Sequence, residues 1–136
     1  MRANRSGRIA ESIIAALLQQ HQCEFSRQVA VGQSIYGTTL RADFVVHNLV
    51  EYPRGLVIEA KWQDVGGSVD EKFPYVVANA KTGAYGRPVL LVAFGPGIRP
   101  GPIEWVRTQV DERFVGVSTF EELMSWLQRR VPVAVP

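Results

Sequence analysis

The chain has 136 residues, 46% of them hydrophobic and 21% charged, and 15 Lys and Arg against 13 Asp and Glu leave a net charge of +2. This is the composition of one globular domain and excludes a disordered chain; a charge so close to neutral does not itself point to nucleic acid, so any basic surface must be local. The single cysteine, Cys23, excludes an internal disulfide and a cysteine zinc cluster.

In chain order, residues 8–20 read as a helix, with Ile9, Ile13, Ile14, Leu17 and Leu18 at helical spacing on one face. Residues 24–32 suit a strand ended by Gly32. A second strand is expected at about 39–47 and a third at 55–63, joined by short, turn-rich links that suggest an antiparallel meander. Residues 71–82 look helical, with Phe73, Val76, Val77 and Ala80 in one stripe. Ser68 and Glu71 have capping-box spacing, and Pro74 fits better if Asp70 is the cap. Val89 to Phe94 is apolar throughout, as expected of a central strand buried on both faces. Ile103, Val106 and Val110 imply another helix, residues 114–117 a short strand, and Ser118 or Thr119 the cap of a last helix carrying Phe120, Leu123, Met124 and Leu127. The expected architecture is α/β: a mixed central sheet flanked by helices, in a single domain over 1–136.

Charges inside apolar strands need a reason, because an unpaired buried charge is costly. Asp43 lies in Leu40–Val46, and Glu59 and Lys61 lie in Gly55–Trp62. Alternation puts Glu59 and Lys61 on one face with Val57 and Gln63, and Leu56, Ile58, Ala60 and Trp62 on the other. It likewise groups Arg41 with Asp43 and Val45, and Ala42 with Phe44 and Val46. If the two strands pair as a hairpin, Asp43 can lie beside Glu59. Two close carboxylates repel unless a cation lies between them. A hard divalent ion such as Mg²⁺ suits carboxylate oxygens, water and substrate phosphate. Alternation alone also permits an ion-paired, solvent-facing ladder.

Asp43 followed by Glu59-Ala60-Lys61 resembles the PD-(D/E)XK nuclease superfamily, which includes restriction enzymes, junction resolvases and homing endonucleases. The order helix, three strands, helix, strand resembles its restriction-endonuclease-like core, here at about 5–95, with a C-terminal helical addition at about 100–136. Ala42 stands where the name-giving proline would be. The resemblance implies a Mg²⁺-dependent DNA endonuclease, with Mn²⁺ able to substitute. It implies Asp43 and Glu59 as metal ligands and Lys61 as the residue assisting the attacking water. It also implies catalytic roles for Gln63, one strand step beyond Lys61, and for Glu11, at the edge of the apolar face of the first helix.

Arg2, Arg5 and Arg8 crowd the amino end, and Lys72 falls on the helix after the third strand; these are the candidate phosphate-gripping residues. His21, His47 and Cys23 are expected to be non-catalytic. One active site per small domain, with Trp105, Trp126 and the apolar stretch 131–136 as interface material, implies a homodimer or higher homo-oligomer for duplex cutting. No apolar run is long enough for a membrane span, and residues 1–5 do not lead into a signal-peptide core, so the expected location is cytoplasmic. The competing reading is a non-catalytic nucleic-acid-binding or assembly module that keeps the fold.

Overall fold

The structure, a computed structural model, describes residues 5–130. The helix α1 (Arg5–Gln20) precedes three strands, β1 (Phe25–Gln33), β2 (Thr39–Val46) and β3 (Leu56–Trp62). A 3-10 turn (Val69–Lys72) leads into α2 (Phe73–Lys81). Then come β4 (Val89–Phe94), α3 (Pro100–Arg107), β5 (Phe114–Ser118) and α4 (Phe120–Gln128).

The five strands lie in the order β1-β2-β3-β4-β5. The first three form an antiparallel meander, and β4 and β5 add in parallel. The mixed sheet follows from the connections: short links make antiparallel neighbours, while α2 and α3 supply the crossovers that parallel strands require. Helices α1 and α4 cover one face, with Ile14, Leu18, Leu123 and Leu127 clustered with Phe44, Ile58 and Val92. Helices α2 and α3 cover the other, with Phe73, Val77 and Val106 clustered with Val57, Leu91 and Phe114. Every residue of β4 is buried, as its unbroken apolar sequence requires.

Several local expectations are corrected. Ile9 is 48% exposed. The stripe of α1 that packs runs through Ala10, Ile14, Leu17 and Leu18, and Ile9 lies roughly 100° round the helix from Ala10, beyond its edge. Val110 is also exposed, because α3 ends at Arg107 before the spacing from Val106 can be used. Ser68 makes no capping hydrogen bond and Asp70 is not the cap of α2. The chain first makes its 3-10 turn, and the buried Asp70 carboxylate pairs with the Arg99 guanidinium instead. Pro74 is tolerated because the first turn of α2 needs no amide there. Thr119, not Ser118, caps α4 through a reciprocal box with Glu122.

Candidate active site

The regular β2–β3 ladder runs from Val46↔Leu56 through Val45↔Val57 to Phe44↔Ile58 and stops there. The next pair in that register is Asp43 and Glu59, and side chains take over the work of the backbone. The Asp43 amide donates to Glu59 Oε1 at 2.7 Å. The Ala60 amide donates to Asp43 Oδ2 at 2.9 Å. Each carboxylate thus holds the opposite strand, and both are fixed in position where the hairpin opens.

Glu59 is only 5% exposed, which excludes a solvent-facing ladder. Its second oxygen, Oε2, accepts from the Tyr85 hydroxyl at 3.1 Å. Burial pushes the Glu59 carboxyl up to about 8, and the nearby Asp43 charge adds to this. The Lys61 charge, the Asp43 amide and the Tyr85 hydroxyl oppose the rise because each favours the ionised form. Lys61, half-buried, makes no hydrogen bond or ion pair among the described residues, so its ammonium is not tied to either carboxylate. Tyr85 is itself buried, and its hydroxyl is held protonated by burial and by the acidic neighbour.

Glu11 reaches the same cluster from α1. The Gln28 side-chain amide donates to Glu11 Oε1 at 2.7 Å and to Asp43 Oδ1 at 3.2 Å. Two carboxylate acceptors require the NH₂ end of the amide, so its orientation follows from chemistry. Arg27 lies 4.0 Å from Glu11 Oε1 and also stacks over Phe44. Burial and the Asp43 charge raise the Glu11 carboxyl, while the Gln28 bond and the cations Arg27 and Lys61 lower it.

The strands change faces at this point. In β1, Phe25 packs with the α1 side, but Val29 and Val31 pack with the α2 side. In β2, Phe44 and Val46 belong to the α1 side, but Leu40 and Ala42 belong to the α2 side. Strict alternation would keep each set together, so the expected grouping of Ala42 with Phe44 is corrected. The pair at the switch is Gln28 and Asp43. It is missing from the ladder between Arg27↔Phe44 and Val29↔Ala42. Gln28 has a φ of +52°, in the left-handed region that a side chain ordinarily avoids. A non-glycine residue persists there only where the surrounding structure holds it.

Gln63 is buried, but its amide is used on the following loop: Nε2 donates to the Gly67 carbonyl and Oε1 accepts from the Asp70 amide. It makes no hydrogen bond to Asp43 or Glu59, so the expected approach to the carboxylates is not what the geometry shows. Lys72 is exposed at the head of α2, and Arg8 is exposed on α1. Arg5 falls in the first turn of α1, and Arg2 lies outside the described residues, as does the apolar stretch 131–136. Gln28 and Tyr85 carry no motif that would have found them. Gln28 reads as one more residue of a strand, and Tyr85 as part of a glycine-flanked turn.

The donor set fits a hard divalent ion. Among the described residues no group of three His, Cys, Asp or Glu is arranged as a ready-made metal cage. Mg²⁺ does not need one, since it keeps several waters and takes one or two carboxylates plus phosphate oxygens. Each oxygen of Asp43 and Glu59 accepts one hydrogen bond from the protein, which leaves it a further lone pair. A cation between the two would also relieve the repulsion that raises Glu59.

A mixed α/β sheet with a carboxylate pair at the opening of its second hairpin, and a lysine two residues further on, fits a nuclease-type domain. The profile of the PD-(D/E)XK nuclease superfamily domain matches residues 2–131, and the chain belongs to that superfamily. The matched stretch runs through α3, β5 and α4 as well as the first six elements. No curated protein and no solved structure matches the chain. Nucleases of this superfamily generally use divalent metal ions, and membership implies a nucleic-acid substrate. Among the described residues no helix is long and apolar enough to cross a membrane.

Proposed function

We propose that the protein is a metal-dependent DNA endonuclease that hydrolyses phosphodiester bonds. The observation that carries this reading is the reciprocal Asp43–Glu59 lock, with an unpaired Lys61 two residues further along the same strand. Asp43 and Glu59 hold the ion, Mg²⁺ or in its place Mn²⁺. When bound, a divalent ion polarises the phosphoryl group and acidifies a water. Lys61 presents its ammonium to the phosphate, where it stabilises the charge that builds as water adds to phosphorus and the P–O bond to the leaving sugar oxygen breaks. Glu11 extends the acidic cluster from α1. Exposed Arg8 and Lys72 offer cations to the phosphate backbone, contacts that position a duplex without reading its sequence. Cutting both strands of a duplex calls for two such domains, so the working form is a homodimer or larger.

The test is a cleavage screen on linear, supercoiled and branched DNA in Mg²⁺ and in Mn²⁺. The three forms separate restriction-type, nicking and junction-resolving activities. Cleavage of none of them with either ion would leave a nucleic-acid-binding module on a nuclease fold.

A further inference from the structure

Gln28 joins two carboxylates that belong to different layers of the molecule. Glu11 sits on the helix that covers the sheet, and Asp43 sits in the sheet. We propose that Gln28 is a positioning residue: its side-chain amide holds Glu11 against Asp43, so that the third carboxylate of the cluster is in place before an ion arrives. This deepens the reading of Asp43 and Glu59 as a metal-holding pair and rests on it for the consequence, but not for the tether itself.

Three observations carry it. The first is the backbone. Gln28 is held at a φ of +52° in the middle of β1, and Arg41 Nη1 secures its carbonyl at 3.0 Å. A glycine would hold this conformation with less strain. What glutamine adds is its amide. The second is stoichiometry. The NH₂ group has two hydrogens, and they meet two acceptors, one on each carboxylate. The third is charge. The bridge is neutral, so it brings two like charges together without cancelling them. A lysine or arginine in that place would neutralise the field that a cation needs. Arg27 lies 4.0 Å from Glu11 with its side chain 46% exposed, and the Gln28 bridge is likewise open to solvent.

The position of Gln28 explains how the amide gets there. It lies opposite Asp43 at the point where both strands exchange faces. The left-handed residue turns the side chain away from the direction that regular alternation would give it, toward the α1 layer where Glu11 waits.

The experiment has two arms. In metal-free protein, the side-chain amide signals of Gln28 are followed by NMR in wild type and in Glu11→Ala. A tether predicts that these signals shift and exchange faster with solvent once Glu11 is gone; signals that do not move overturn it. In the second arm, Mg²⁺ is titrated calorimetrically into wild type, Gln28→Gly, Glu11→Ala and the double variant. Gln28→Gly suits the left-handed backbone and removes the amide together with the rest of the side chain. It is expected to melt at or above the wild-type temperature and yet bind Mg²⁺ about tenfold more weakly, as outer-shell substitutions do. In the Glu11→Ala background the same change should have no further effect on affinity. Wild-type affinity in Gln28→Gly, or an undiminished loss when Glu11 is already absent, overturns the role. Absence of Mg²⁺ binding in wild type would instead remove the metal reading, and the NMR arm would still decide the tether.

Discussion

The Tyr85 hydroxyl, in the turn before β4, donates to Glu59 Oε2 at 3.1 Å in the middle of β3. The bond selects the ionised form of a carboxylate whose burial favours the neutral one. Tyr85→Phe removes the donor and little volume. The variant should fold, losing about 1 kcal/mol. Glu59 should then ionise at a still higher pH, so the onset of Mg²⁺ binding should move to higher pH than in wild type. Metal titrations repeated from pH 6 to 9 check this, and an unchanged onset would show that the hydroxyl does not tune Glu59.

Glu59 also makes metal-free stability depend on pH. Its carboxyl is raised from 4.5 to about 8 in the folded protein. Between those values the folded state binds a proton that the unfolded chain has released, so stability falls as pH rises. The contribution is fully present below 4.5 and lost by about 8. Melting curves in chelator should therefore decline across this window and level off above it. Glu59→Gln should flatten the decline, and added Mg²⁺ should reverse it at the alkaline end.

Metal holding and chemistry should separate between Glu59 and Lys61. Glu59→Gln should weaken Mg²⁺ binding and abolish cleavage. Lys61→Met should keep or tighten Mg²⁺ binding, because a repelling charge has gone, and still lose about a hundredfold or more in turnover. DNA binding in Ca²⁺ should survive in both and tighten in Glu59→Gln. Normal cleavage by Lys61→Met would remove the lysine from the mechanism.

Glu11→Gln keeps an acceptor for the Gln28 amide and removes one negative charge. Turnover should fall about tenfold, while stability stays within about 0.5 kcal/mol of wild type. Full activity would take Glu11 out of the site.

Light scattering at high protein concentration should return at least twice the mass of one chain. Ile9 and Trp105 are large apolar residues left 48% and 43% exposed, and burying such residues is a common means of association. A single-chain mass under these conditions would count against the two-site arrangement for duplex cutting.

The sequence shows Asp43, Glu59 and Lys61 clearly because they interrupt apolar strands, where a two-residue period makes a misplaced charge conspicuous. The helices are legible because their burial repeats at a helical period, and β4 because its run of apolar residues is unbroken. Gln28 gives no such signal, since its role depends on one backbone torsion and on a partner strand whose register is set elsewhere. Tyr85 is equally silent, because only the parallel pairing of β3 with β4 brings its turn to Glu59. Gln63 is a different case. The strand that should carry it ends one residue earlier, at Trp62, and beyond that end the direction of the side chain is decided by the loop it holds. Asp70 has the spacing of a cap, but its carboxylate pairs with the distant Arg99.

The joint change of faces at Gln28 and Asp43 restricts how this chain can vary in length. From Phe25 to Gln28 and from Asp43 to Val46 the two strands are counted against each other residue by residue. One residue added to either segment alone would send Phe25 or Phe44 to the wrong layer and move a carboxylate off its partner. The tip of the turn at 35–37 and the part of the loop at 50–54 lie outside that count, and Tyr36 and Val50 there are open to solvent. Insertions and deletions in functional variants should therefore gather at those two bends, and the short stretches flanking the switch should keep their lengths even where their side chains differ.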